Sequence, residues 1–180
     1  MAINHFLEEN LIGKNKDHID SHLYNYYLKE FNSFTTYGKA KESILDGVDI
    51  KWRHLLEDCF KCFDLECYKV AIPTLISIVE GEISLIANSN FVGKRLLEVW
   101  ESDLDTEGEK FDAIALYSIL YFLKNKLFIR KDFGEIRPII INRHWVLHGR
   151  DNPDSWSLGD YYRLINTLSS LQFIKEILKR

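Results

Sequence analysis

Apolar residues recur at helical spacing along most of the chain. Residues 1–12 read as a short helix. Within His18 to Asn32, Ile19, Leu23, Tyr26 or Tyr27 and Phe31 fall on one stripe, which predicts a second. Phe34 to Gly47 is mixed and closes on Asp46-Gly47, a turn signal. Asp49 is placed to cap a helix over Ile50 to Phe63, with Trp52, Leu55, Leu56, Cys59 and Phe63 on its inner face. Cys67 to Ala87 is apolar nearly all round, the mark of a central, buried helix. Pro73 lies in its first two turns, where it can introduce a kink, and Asn88-Ser89-Asn90 ends it.

Further along, Phe91 to Trp100 predicts a short helix and Glu101 to Lys110 a solvated acidic loop. Phe111 to Leu127 is a strong helix, followed by a charged loop from Arg130 to Arg137. Ile139 to Gly149 reads as a helix opened by Pro138 and stopped by Gly149. A turn-rich segment, Arg150 to Gly159, leads to a last helix over Asp160 to Leu178. That helix should bury Leu164, Leu168, Leu171, Ile174 and Leu178. No run alternates strictly between apolar and polar, so the expected fold is an all-α helical bundle over residues 48–180. Residues 1–47 are expected to form a helical N-terminal extension that covers the core or recognises a partner.

Composition narrows this further. In 180 residues, 46% hydrophobic and 13% aromatic content is enough for a real core and argues against disorder. No run of 18 apolar residues exists, and apolar uncharged stretches such as Val70–Val79 and Ala113–Leu123 are too short to cross a bilayer. Met1 to Asn10 does not read as a signal peptide, so a cytoplasmic protein without a membrane partner is expected. Net charge is −4, which gives no global attraction to nucleic acid. Phe122 to Arg150 differs: Lys124, Lys126, Arg130, Lys131, Arg137, Arg143 and Arg150 stand against Asp132 and Glu135, a local +5. Such a patch can hold a phosphate backbone, or it can merely complement helix ends and solvate a loop.

The candidate chemistry sits in Asn142-Arg143-His144-Trp145-Val146-Leu147-His148-Gly149. On a helix, His144 and His148 share one face, and Arg143 and His148 lie on flanks roughly 140° apart. Arg, four residues, then His, with a polar residue directly after the Arg and one amphipathic helix still to come, resembles the HEPN superfamily of small all-helical proteins. The resemblance covers about residues 50–180. A second pairing, Arg137 with His144, lacks the polar neighbour and begins outside the predicted helix. HEPN proteins paired with small nucleotidyltransferases carry a Tyr two residues after the His; Arg150 stands there, which argues against that branch.

The resemblance implies a metal-independent endoribonuclease, homodimeric, with motifs from two protomers meeting in one cleft. It further implies a bacterial defence or toxin component, with RNA as substrate and an antitoxin or other regulatory protein as a possible partner. No cofactor is expected. Cleavage would proceed by 2′-hydroxyl transesterification. Histidine suits the proton transfers because its unperturbed pKa is near 6.5, and arginine suits the phosphorane because its planar fork stays charged. His148 is assigned acid–base work and Arg143 phosphate stabilisation. Asn142, His144, Arg137 and Arg150 are assigned substrate binding. Glu80 interrupts the most apolar helix, where an unpaired carboxylate is costly, and is expected to meet Arg143 or Arg137.

Other readings stay open. The arginine and histidines can be satisfied structural residues, or the helix can belong to a catalytically silent HEPN-like module that binds RNA, nucleotide or protein. A plain scaffold whose motif stabilises a dimer is a third. His144 and His148 match a metal-binding spacing, with Asp151 or Asp154 as a third ligand, but no Glu lies between them and no metal site is expected. Cys59, Cys62 and Cys67 offer three soft ligands for zinc or an iron–sulfur cluster, but no fourth is evident beyond nearby His54, and core thiols are expected. Trp145 and Trp156 can stack bases, although Trp145 also fits a core or an interface.

Overall fold

The computed structural model describes residues 15, 17–19, 21–22, 25, 30–31, 34–102 and 110–179. The short helix expected over 1–12 lies outside them, as do residues 103–109 of the loop expected from Glu101 to Lys110, whose two ends are helical. The chain forms two compact units, Met1–Glu42 and Ser43–Arg180. In the first, described residues between 17 and 25 are helical, and a minimal antiparallel ladder pairs β1 (Glu30–Phe31) with β2 (Phe34–Thr35). The helix expected over His18 to Asn32 therefore does not reach Phe31, which pairs with Phe34. Helix α1 (Thr36–Gly47) begins directly after the ladder, and the division between the units falls within it.

Among the described residues of the second unit, the regular elements are helices. Asp49 caps α2 (Ile50–Asp64): its carboxylate accepts the Lys51 N–H at 3.0 Å, satisfying a donor that the first turn leaves free. Leu56, Cys59 and Phe60 form its buried face. Leu55, expected inside, is exposed, and Phe60 takes its place. Helix α3 (Tyr68–Ile86) is the central element, packed against α2, α4 (Gly93–Ser102), α6 (Arg143–Leu147) and α7 (Leu158–Ile177). Its Ile72, Leu75, Ile76, Ile78, Val79 and Ile83 are fully buried, each stabilising the fold by about 1.5–3 kcal/mol relative to exposure. Gly81 allows α2 to approach closely, since a Cβ there would lie 2.5 Å from the Trp52 ring.

Glu82, which sequence reading passed over, is a charge fully buried in this core. Its carboxylate accepts the Asp49 N–H at 3.2 Å, the Gln172 amide at 3.1 Å and the Lys175 ammonium. Those partners satisfy a group that would otherwise be prohibitively desolvated, and they tie α2, α3 and α7 together.

Helix α5 (Lys110–Phe122) continues into a π turn, Leu123–Leu127, which packs against α4. A capping box starts α7 two residues earlier than expected: Ser157 Oγ accepts the Asp160 N–H and Asp160 Oδ2 accepts the Ser157 N–H. Leu164, Leu168, Leu171 and Ile174 are buried as predicted, but Leu178 lies past the helix end and is exposed. Among the described residues, no helix is long and apolar enough to cross a membrane.

Candidate functional site

The helix expected from Ile139 to Gly149 is shorter. Pro138 to Asn142 is not helical, and α6 begins at Arg143. Asn142 decides the start. Held in an extended conformation (φ −120°, ψ 122°), it accepts the Trp145 N–H on Oδ1 at 3.2 Å. Its Nδ2 donates to Ile129 O at 2.8 Å and reaches Lys126 O at 3.5 Å, carbonyls at and just beyond the π turn. An N-cap needs non-helical backbone, so Asn142 overrides the initiating signal of Pro138. Ile141 is fully buried, and its N–H reaches Asp160 Oδ1 at 3.4 Å. Only 1% exposed, Asn142 is a cap and a clamp; the substrate-binding role assigned to it gives way to one of positioning α6.

Gly149 stops the helix as expected, at φ +63°, a left-handed conformation that favours glycine. The Arg150 N–H then returns to Trp145 O at 2.8 Å. Trp145 is buried, and its indole donates to Lys131 O at 3.1 Å, so it anchors the 130–137 loop and offers no face for a base. Five helical residues thus set Arg143 at the first position and His148 at the C-cap.

Glu80 meets Arg143. Its carboxylate accepts from Nε at 3.2 Å and from Nη2 at 3.0 and 2.8 Å, with side-chain exposures of 18% for the arginine and 13% for the glutamate. Glu80 Oε1 also accepts the Gly93 N–H at 2.6 Å. Gly93 has φ +60°, and a Cβ there would sit 3.8 Å from Arg143 Nη1. The guanidinium is therefore held along its Nε/Nη2 edge. Among the described residues, Nη1 has no hydrogen-bond partner.

The histidines gather around a residue that sequence reading missed. The Phe133 ring stacks on His144 at 4.8 Å and 6°, and meets His148 edge-on at 6.0 Å and 65°. The two imidazoles lie 4.6 Å apart at 71°. The Arg150 guanidinium lies 5.3 Å from the Phe133 centroid. His148 is exposed and His144 half-buried. Desolvation first, then the charges of His148, Arg130 and Arg143, push the His144 pKa below its ordinary value; Asp132 opposes them. Phe133 is the one aromatic in an otherwise charged loop, and that contrast was its only signal in the sequence.

Arg137 is committed elsewhere. Nε and Nη2 pair with the two Asp151 oxygens at 2.6 and 3.0 Å, and Nη1 donates to Pro138 O at 3.0 Å. Asp151 also accepts the Trp156 indole N–H at 2.8 Å, so this cluster braces the loop after α6. Lys124 pairs with Glu101 and Lys131 with Glu135. Of the seven cations in the basic stretch, Lys126, Arg130 and Arg150 have no acidic partner among the described residues. The field available to a polyanion is therefore smaller than the residue count suggests.

Among the described residues, no group of three or more His, Cys, Asp or Glu side chains is arranged to hold a metal ion. Of the expected core thiols, Cys59 is buried, but Cys62 is only half-buried and Cys67, at the N-cap of α3, is exposed. Burial pushes the Cys59 thiol up to about 12. Protein-family models, curated proteins and solved structures contain no match to this chain.

Proposed function

We propose that this chain is a metal-independent endoribonuclease of the HEPN type, acting as a homodimer in the cytoplasm. One observation carries the reading. Arg143 is fixed by Glu80 along one edge with Nη1 left over, while the imidazoles of His144, next to it, and His148, at the helix end, are held among the described residues by ring contacts. A cation oriented but not fully consumed is suited to a phosphorane, because its placement needs no reorganisation during the reaction. Ring contacts leave the imidazole nitrogens to exchange protons.

In the reaction, a histidine takes the proton of the RNA 2′-hydroxyl as O2′ attacks phosphorus. The P–O2′ bond forms and the P–O5′ bond breaks. A second histidine protonates the departing 5′-oxygen, leaving 2′,3′-cyclic phosphate and 5′-hydroxyl ends. His148 performs proton transfer and Arg143 steadies the phosphorane. His144, its pKa depressed, is neutral at pH 7 and serves as a hydrogen-bond acceptor or donor to substrate. Two copies of α6 across a dimer two-fold supply both acid and base. Lys126, Arg130 and Arg150 provide phosphate contacts. A place in defence or in a toxin system, with a regulatory protein partner, extends the proposal along the family resemblance.

The same Arg143–Glu80 pair favours a second reading. An arginine already bonded to a carboxylate through two of its nitrogens can be purely structural, and α6 would then belong to a silent binding module. Purified protein incubated with mixed RNA, with and without EDTA, separates the two. EDTA-resistant cutting to cyclic phosphate ends, lost in Arg143→Ala/His148→Ala with the fold retained, is the expected result. RNA binding without cutting by folded dimer selects the module.

A further inference from the structure

The two histidines of the site make no hydrogen bond that would orient them among the described residues. Catalytic imidazoles are commonly aimed by a carboxylate or carbonyl on one ring nitrogen. Here the contacts that define both rings are aromatic, and they converge on one side chain from outside α6. Phe133 lies parallel to His144 and edge-on to His148, with the Arg150 guanidinium also over its ring. It meets Trp145 edge-on at 6.3 Å as well, and the Trp145 indole is itself anchored on Lys131 O. The loop is closed on itself by the Lys131–Glu135 pair and by the Asp132 N–H donating to Glu135 at 3.2 Å. The bracket is therefore built on a restrained loop and a buried indole.

We propose that Phe133 is the positioning residue of the histidine pair, fixing the His144 and His148 rings by stacking and edge contact so that their nitrogens stay free for RNA. This deepens the ribonuclease reading and rests on it. Stacking restrains ring orientation without occupying a nitrogen, and it also removes water from one face of His144. The charged and titratable groups acting on that imidazole are His148, Arg130 and Arg143, with Asp132 opposed. Replacing Phe133 adds or removes no charge, so a change in His144 titration would report the loss of the stack and of the placement of the His148 ring beside it.

The test uses the full chain carrying Phe133→Leu, with Phe133→Tyr as the conservative control. Phe133 is 43% exposed, so both variants should fold, which thermal melting verifies. Proton NMR follows the imidazole C–H resonances of His144 and His148 without RNA, and cleavage is measured across pH. In Phe133→Leu, the His144 midpoint moves up toward the ordinary histidine value and both ring resonances lose the part of their ring-current shift that Phe133 supplies. The kcat falls by about 100-fold while KM changes little, as expected when reacting groups are misplaced by about 1 Å. Phe133→Tyr restores titration and rate. Unmoved resonances in Phe133→Leu overturn the proposal, as does a kcat close to that of the parent. If the parent cuts no RNA, the ribonuclease reading falls. The resonances then decide Phe133 alone: moved, they uphold its hold on the rings; unmoved, they end it.

Discussion

Replacing Glu80 by Gln removes one charge and changes the shape of the site hardly at all. The carboxylate accepts from Arg143 Nε and Nη2 and from the Gly93 N–H, through both oxygens. An amide has one oxygen, so it can serve either Gly93 or Arg143 well, and its NH2 group faces guanidinium donors. Breaking a fully buried pair costs about 3–5 kcal/mol, and an exposed pair contributes less than about 1 kcal/mol. With 18% and 13% of the two side chains exposed, this pair lies between, at about 2 kcal/mol. For a chain of this length, that lowers Tm by about 4–8 °C. Urea unfolding gives the free energy directly, and a cycle with Arg143→Met isolates the coupling of the two side chains. Because the pair is largely withdrawn from water, raising the salt should recover little of the difference between parent and variant. Under the proposed function, Glu80→Gln also loses RNA cleavage at temperatures where it remains folded. An unfolding free energy within about 0.5 kcal/mol of the parent, with no coupling in the cycle, would refute the reasoning.

Other perturbations test separate parts of the site. Asn142→Ala removes the cap of α6 and orphans the Ile129 carbonyl, costing about 2–3 kcal/mol, with faster exchange of the Trp145 amide as the local signature. The His144 pKa is lowered on folding, so the unfolded chain binds more protons. Its contribution to stability is complete above about pH 6.5 and declines as pH falls toward the folded value. His144→Asn should flatten the urea midpoint between pH 5 and 7, and an unchanged slope would contradict the assignment. Cys59, with its thiol pushed up to about 12, should resist thiol reagents at pH 8 until the protein is unfolded, while exposed Cys67 reacts at once. Mass spectrometry of labelled peptides from native protein would overturn this by finding Cys59 modified.

Much of the helical framework was determined by local sequence. Asp49 before an apolar-periodic run starts α2, because a carboxylate can satisfy first-turn N–H groups without outside help. The run from Val70 to Ile86 is apolar on every side and had to become the central helix. Gly149 stops α6 because it enters the left-handed region without a Cβ penalty. The unusual position of Glu80 was equally legible: a carboxylate in such a helix requires a partner. Which partner was not. Arg143 lies 63 residues away, and Arg137, equally available to sequence reasoning, is taken by Asp151.

Tertiary structure decided everything that depends on groups brought together from distant segments. Asn142 and Pro138 both offered helix starts, and the Ile129 carbonyl settled the choice by clamping Asn142 in extended backbone. Glu82, two residues from Glu80 and no different in local context, is tolerated in the core because Lys175 and Gln172 arrive from the other end of the chain. Phe133 becomes part of the site because its loop folds back over α6 and stacks on His144. Capping and periodicity act within a turn or two of the residues that encode them. Charge pairing and ring stacking act through space, and the chain has to fold before those distances exist.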